Sequence, residues 1–113
     1  MAKVEIDEKL KDEILKKFKQ ESKTIFRQMQ SLEEHPHKGK ALGTVGGIVI
    51  KEIKYESFRF YFITDGFKLM IMDQSKLTDL LIRFVRMSDK KDQQKTINEI
   101  KKILLNLGLT GFN

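Results

Sequence analysis

Apolar positions along the chain change their period midway. Near the amino end Leu10, Ile14 and Phe18 recur at four-residue spacing, with Lys9, Lys11, Lys16, Lys17 and Lys19 between them. That period predicts an amphipathic helix with one face turned to a core and the lysines outward, and Asp7 stands at the capping position. A second start falls near Ser22, where Ile25, Met29 and Leu32 share a face until Pro36 forbids continuation. The two segments predict a helical hairpin laid over one face of a sheet. Ahead of them, Val4 and Ile6 alternate with charged neighbours, as in a short edge strand.

From Ile48 the period becomes two. Phe58, Phe60 and Phe62 alternate with Arg59, Tyr61 and Ile63, which sends the phenylalanines to one face and Arg59 with Tyr61 to the other. The first face is expected to be core and the second to be open to a partner. Strands are predicted over about 48 to 54, 57 to 64, 67 to 73 and 78 to 87, joined by YES, Asp65-Gly66 and QSKLT. Connections this short predict an antiparallel meander. Asp65-Gly66 tolerates the positive φ angles of a tight hairpin turn. A last helix is expected from Asp89, capped by Ser88 or Asp89, with Ile97, Ile100, Ile103, Leu104 and Leu107 as its apolar stripe. Gly108 stops it, leaving a loose tail to Asn113. The expected fold is α+β: an amino-terminal helical hairpin packed on a twisted antiparallel sheet of about four strands, with a carboxy-terminal helix, in a single domain over residues 1–113.

Composition narrows the chemistry. With 113 residues and 40% hydrophobic positions, the chain suits one compact domain. It has no cysteine, which excludes disulfides, thiolate nucleophiles and cysteine-based zinc sites and agrees with a reducing compartment. No apolar run approaches the roughly 20 residues of a membrane span, and MAKVEIDEKL has no signal-peptide apolar region, so a cytoplasmic protein without membrane contact is expected. The formal net charge of +6 favours a polyanionic partner, since Lys and Arg clusters bind phosphates partly by releasing condensed counterions. His35 and His37 flank a proline in a loop and form an incomplete ligand set, so no metal is expected. The stretch GTVGGIVIK lacks the Gly-Lys-Ser/Thr ending of a phosphate loop and precedes a strand; flexibility at Gly46-Gly47 is the reading it supports.

Two amino-terminal helices, a loop HKGKAL, and a meander reading VIKEIKYESFRFYFITDGFKLMIM together resemble the RelE/ParE superfamily of small toxins, the HigB-like branch most closely. The matching motifs are KEIK at Lys51 to Lys54, the pair Phe58-Arg59, and the apolar strand running into a basic elbow and helix, LIRFVRMSDKKDQQKTINEIKKIL, from Leu81 to Leu104. The resemblance implies an mRNA endoribonuclease, free or on the ribosome. It would be metal-independent, without a cofactor, and neutralised by a cognate antitoxin protein. In that chemistry the ribose 2′-hydroxyl attacks the adjacent phosphate, which calls for a proton acceptor, cations for the developing charge and a donor for the leaving oxygen.

Carried over residue by residue, the resemblance gives Lys51 and Lys54 phosphate binding, either being a candidate general base. It makes Arg59 the group that stabilises the phosphorane-like transition state, because its planar fork suits phosphate oxygens. Arg86, Lys90 and Lys91 match the basic elbow; cations where a helix begins oppose its dipole and are expected to face an anion. Tyr61 is expected to stack on a base or donate its hydroxyl. Lys51 and Lys54, three apart, face opposite sides of a regular strand unless a bulge near Glu52 realigns them; Arg83 and Arg86 pose the same problem. Two other readings stay open: a ParE-like toxin that binds DNA gyrase or another topoisomerase without cutting RNA, and a noncatalytic RNA- or protein-binding module on the same fold. Convergence of Lys51, Lys54, Arg59 and Arg86 in one concavity is what separates them.

Overall fold

A computed structural model describes residues 2–71, 73 and 77–112. The described elements run β1 (Lys3–Ile6), α1 (Glu8–Phe18), α2 (Ser22–Gln30), β2 (Lys40–Val45), β3 (Ile48–Tyr55), β4 (Phe58–Asp65), α3 (Gly66–Ile71), β5 (Leu81–Asp89) and α4 (Gln93–Leu107), with a 3-10 turn at Gly108–Phe112. The architecture is α+β. Five strands form one sheet in the order β1-β5-β4-β3-β2, mixed because β1 lies parallel to β5 while the other pairs are antiparallel. Lys3 stands opposite Leu81 and Ile6 opposite Phe84, so the expected edge strand pairs with a distant segment; the other edge is β2, formed by part of the stretch expected to be a loop and paired antiparallel with β3.

The expected amino-terminal hairpin is present. Its two helices are separated by a 3-10 turn at Lys19–Glu21, entered through Lys19 at φ 51°. Ser22 Oγ donates to the Ile14 carbonyl at 3.1 Å, so the residue that opens the second helix also staples it to the first. Asp7 precedes α1, but its side chain accepts no capping hydrogen bond. Leu10, Ile14, Phe18, Ile25, Met29 and Leu32 pack with Ile53, Phe60, Phe62 and Phe84 into the core on one side of the sheet. Phe62 and Phe84 meet there with ring centroids 4.9 Å apart.

The phenylalanine alternation is as the period requires, with Phe60 and Phe62 on the helical-hairpin side. The expectation that the opposite face stays open is corrected. Ile50, Tyr61, Ile63 and Val85 on that face pack against Ile97, Ile100 and Leu104 of α4 and against Phe112, forming a second core. The sheet is therefore covered on both sides. Phe112 also ends the expected loose tail: the chain turns through Gly108 at φ 62° and returns to bury that ring.

The Asp65-Gly66 hairpin and the strand expected to follow it are corrected too. Asp65 Oδ1 accepts the amide hydrogens of Phe67 and Lys68 at 3.0 and 3.1 Å. That is how a carboxylate caps a helix, and the chain leaves β4 into the short helix α3, which runs to Ile71. Residue 72, within the expected strand, and residues 74–76 of the expected connection lie outside the described residues. Ser88 and Asp89 belong to β5, so the cap of α4 moves to Asp92, whose carbonyl receives the Thr96 amide at 3.0 Å.

Candidate functional site

On the face beneath α4 the strand register lines up two rows of polar side chains. Lys54, Arg59 and Ser88 stand opposite one another across β3, β4 and β5; Glu52, Tyr61 and Arg86 form the next row. A one-residue irregularity in the pairing between β4 and β5 makes the second row possible. Tyr61 pairs with Arg86 and Phe62 with Phe84, leaving Val85 as the additional residue. A bulge of this kind re-aims side chains, and here it returns both Arg83 and Arg86 to the α4 side. Arg83 donates to the Phe112 carbonyl, and the Arg86 guanidinium stands 5.3 Å from the centroid of the Phe112 ring.

Of the residues the sequence singled out, Lys54, Arg59, Tyr61 and Arg86 share this face, and Lys51 does not. The register between β3 and β4 is unbroken from Ile48 to Tyr55, so Lys51 points to the helical-hairpin side, opposite Phe62. Its Nζ donates to the His37 carbonyl at 2.9 Å and stands 6.0 Å from the centroid of the Phe62 ring. There Lys51 holds the 35–39 loop onto the sheet. Gly39 completes that contact: at φ 105°, any β-carbon on it would stand 2.9 Å from Phe62 Cζ.

Burial holds the Lys51 ammonium below its ordinary pKa of 10.5. The unfolded chain keeps that proton up to about 10.5, whereas the folded protein releases it sooner, so stability contributed by this site rises with pH between the two values. Urea denaturation of the wild type and of Lys51→Met from about pH 8 to 10.5 should show the wild type gaining stability relative to the variant as pH rises. A difference that stays flat would remove this role.

Glu52 was not among the sequence candidates, and it is the most constrained charge in the site. Its side chain is 1% exposed, and neither carboxylate oxygen accepts a hydrogen bond from the described residues. Arg59 Nε, also without a hydrogen-bond partner, lies 3.8 Å from Glu52 Oε2, while the other end of that guanidinium donates to the Ser57 carbonyl at 3.1 Å. The pair is an ion pair at the limit of contact, in a setting where such carboxylates are normally hydrogen-bonded. A sequence signal existed. In IVIKEIKY, Lys51 and Glu52 occupy consecutive positions, so each face of the strand receives a charge whichever way it is turned.

Tyr61 is fully buried, and its hydroxyl lies 2.7 Å from Ser88 Oγ, which donates onward to the Asp89 carbonyl at 3.0 Å. With the serine proton committed, Tyr61 is the donor of that bond. Burial, and then the nearby charge of Glu52, push the phenol above its ordinary pKa, while Arg59 pulls the other way. The phenol keeps its proton at neutral pH. Arg86 is half-buried, with Nε donating to Glu99 Oε1 at 2.9 Å and one terminal nitrogen 3.9 Å from Asp7 Oδ2. The carboxylate expected to cap α1 thus helps hold this arginine. Lys54 is exposed at the rim; Lys90 and Lys91 are exposed on the turn before α4, ahead of its cap.

Chemically, the face offers a carboxylate without hydrogen bonds, two guanidinium groups, a protonated phenol and a rim lysine. Among the described residues no three His, Cys, Asp or Glu side chains converge as a metal site, and no helix is long and apolar enough to cross a membrane. Comparison with protein-family models, with curated proteins and with solved structures finds no match.

Proposed function

We propose that the chain is a RelE-like endoribonuclease toxin, cleaving mRNA in the cytoplasm with the two-row face beneath α4 as its site and restrained by an antitoxin protein. One observation carries the reading: Glu52 is buried without a hydrogen bond, in the same row as Tyr61 and Arg86 and beside Arg59. Burying such a group costs stability, and a buried polar group left unsatisfied calls for a reason, a catalytic role among them.

In the proposed reaction Glu52 takes the proton of the ribose 2′-hydroxyl as that oxygen attacks the adjacent phosphorus. Arg59 and Lys54 offset the charge of the phosphorane, and Arg86 anchors a neighbouring phosphate. The phosphorus bond to the 5′-oxygen breaks, and that oxygen receives the Tyr61 proton, giving a 2′,3′-cyclic phosphate and a 5′-hydroxyl end. Glu52 replaces Lys51 as general base, because Lys51 faces the other side of the sheet. Lys90 and Lys91, with Lys54, supply the cationic approach. Because Glu52 and Tyr61 are buried, the reading requires that the chain covering them move aside for RNA to reach them.

The sealing of Glu52 and Tyr61, and the failure of Lys51 to join Lys54, Arg59 and Arg86 on one side of the sheet, favour a second reading, a ParE-like toxin that acts by binding a topoisomerase. Induced expression in a bacterial host, with growth and transcript ends measured together, separates them. The first reading expects growth arrest with new 5′-hydroxyl ends. Arrest with intact transcripts would replace it by the second, and undisturbed growth with intact transcripts would remove both.

A further inference from the structure

The β2 edge of the sheet carries different chemistry on its two sides. Among the described residues β2 is the terminal strand, flanked by β3 alone, and its residues are exposed or half-buried. On the helical-hairpin side, Thr44 and Val49 floor a cleft of about 520 Å3, walled by Phe67, Leu69 and Met70 of α3. Phe67 and Met70 are 64% and 79% exposed, an unusual position for side chains of that size. On the α4 side the edge is cationic. Lys40 is exposed in the row of Glu52, and Lys101 of α4 lies over Gly43, its Cε 3.0 Å from where a β-carbon on that glycine would stand. No acidic residue occurs between Glu34 and Glu52.

We propose that β2 is a docking edge for an extended segment of a second protein, in which apolar and acidic residues alternate. A strand added beyond β2 continues the hydrogen-bond ladder, and its side chains point to the two sides in turn. Those on one side enter the cleft beside Phe67 and Met70; those on the other meet Lys40 and Lys101. The cleft selects for apolar residues and the lysines for carboxylates, so the register of the segment is fixed by both. The bulge between Ala41 and Gly43 leaves Gly43–Val45 as the regular part of the edge, where pairing begins. A second copy of this chain is a poor occupant, since the β2 segment it would offer carries no carboxylate to meet Lys40 and Lys101. The inference goes beyond the catalytic reading and does not rest on it.

The probe is a fluorescein-labelled peptide of alternating Glu and Val, about six residues long as strands usually are, with binding read by fluorescence anisotropy. Comparators are a peptide of the same composition with the glutamates and valines in separate blocks, and two alternating peptides N-methylated at odd or at even positions. The alternating peptide should bind at least roughly tenfold more tightly than the blocked one. Only one of the two N-methylated peptides should lose binding, because alternate amides face the ladder. Lys40→Glu combined with Lys101→Glu, and separately Met70→Glu, should each weaken the alternating peptide by roughly tenfold or more, with circular dichroism confirming the fold. Equal binding of blocked and alternating peptides, or indifference to the N-methyl position, would overturn the proposal. Because no RNA is present, the result is independent of whether the chain cleaves it.

Discussion

Glu52→Gln is expected to lower RNA cleavage by roughly 100- to 10,000-fold, the usual contribution of a general base, while the protein keeps its fold. The substitution preserves the volume of the side chain and removes its capacity to take a proton. Arg59 then loses its counter-ion but retains the Ser57 carbonyl, and its side chain is 10% exposed. The stability loss should therefore be smaller than when the arginine itself is removed. Rates of 5′-hydroxyl end formation on a defined RNA, measured beside thermal unfolding, check both halves. Cleavage at the wild-type rate by a folded Glu52→Gln protein would remove the carboxylate from the mechanism.

Arg59→Ala should show the opposite balance, losing stability and activity together. Removing the guanidinium leaves Glu52 buried with neither a hydrogen bond nor an opposing charge. Breaking a buried pair from one side in this way typically costs about 3–5 kcal/mol. The double variant Glu52→Gln with Arg59→Ala should recover much of that stability, because the stranded charge is gone, yet it should remain inactive. A double-mutant cycle by chemical denaturation reads the coupling directly. If the double variant is as unstable as the sum of the two single changes, the pair does not interact and the site loses its centre.

What the sequence disclosed follows the reach of each signal. Local periodicity located α1, α2, β3, β4 and α4, since spacing of three, four or two residues is a property of the chain itself. Asp65-Gly66 misled because the carboxylate that suits a tight turn also caps a helix, and only the direction of the chain after Gly66 separates the two uses. The parallel pairing of β1 with β5 joins Lys3 to Leu81, 78 positions apart, beyond any local window. The open face failed as an expectation because α4 and Phe112 return to cover it, and strand alternation does not report what packs above. At the site, Arg59, Tyr61, Arg86 and Lys54 were legible by residue type and motif order. The spacing of Lys51 and Lys54 already puts them on opposite sides of a regular strand, and only the register tells that no bulge near Glu52 realigns them; the alignment of Arg86 depends on a bulge that has no signature in LIRFVRMS. Glu52 enters the sequence reading only as the place of a possible bulge, although its neighbour Lys51 already occupies the other side of the strand.

The parallel pairing also sets an order of events during synthesis. Lys3–Ile6 is translated well before the strand that receives it, which begins at Leu81. Until Leu81–Asp89 has been made, the nascent polypeptide holds β1 without that neighbour. Contacts so far apart in sequence slow folding, so this side of the sheet closes late.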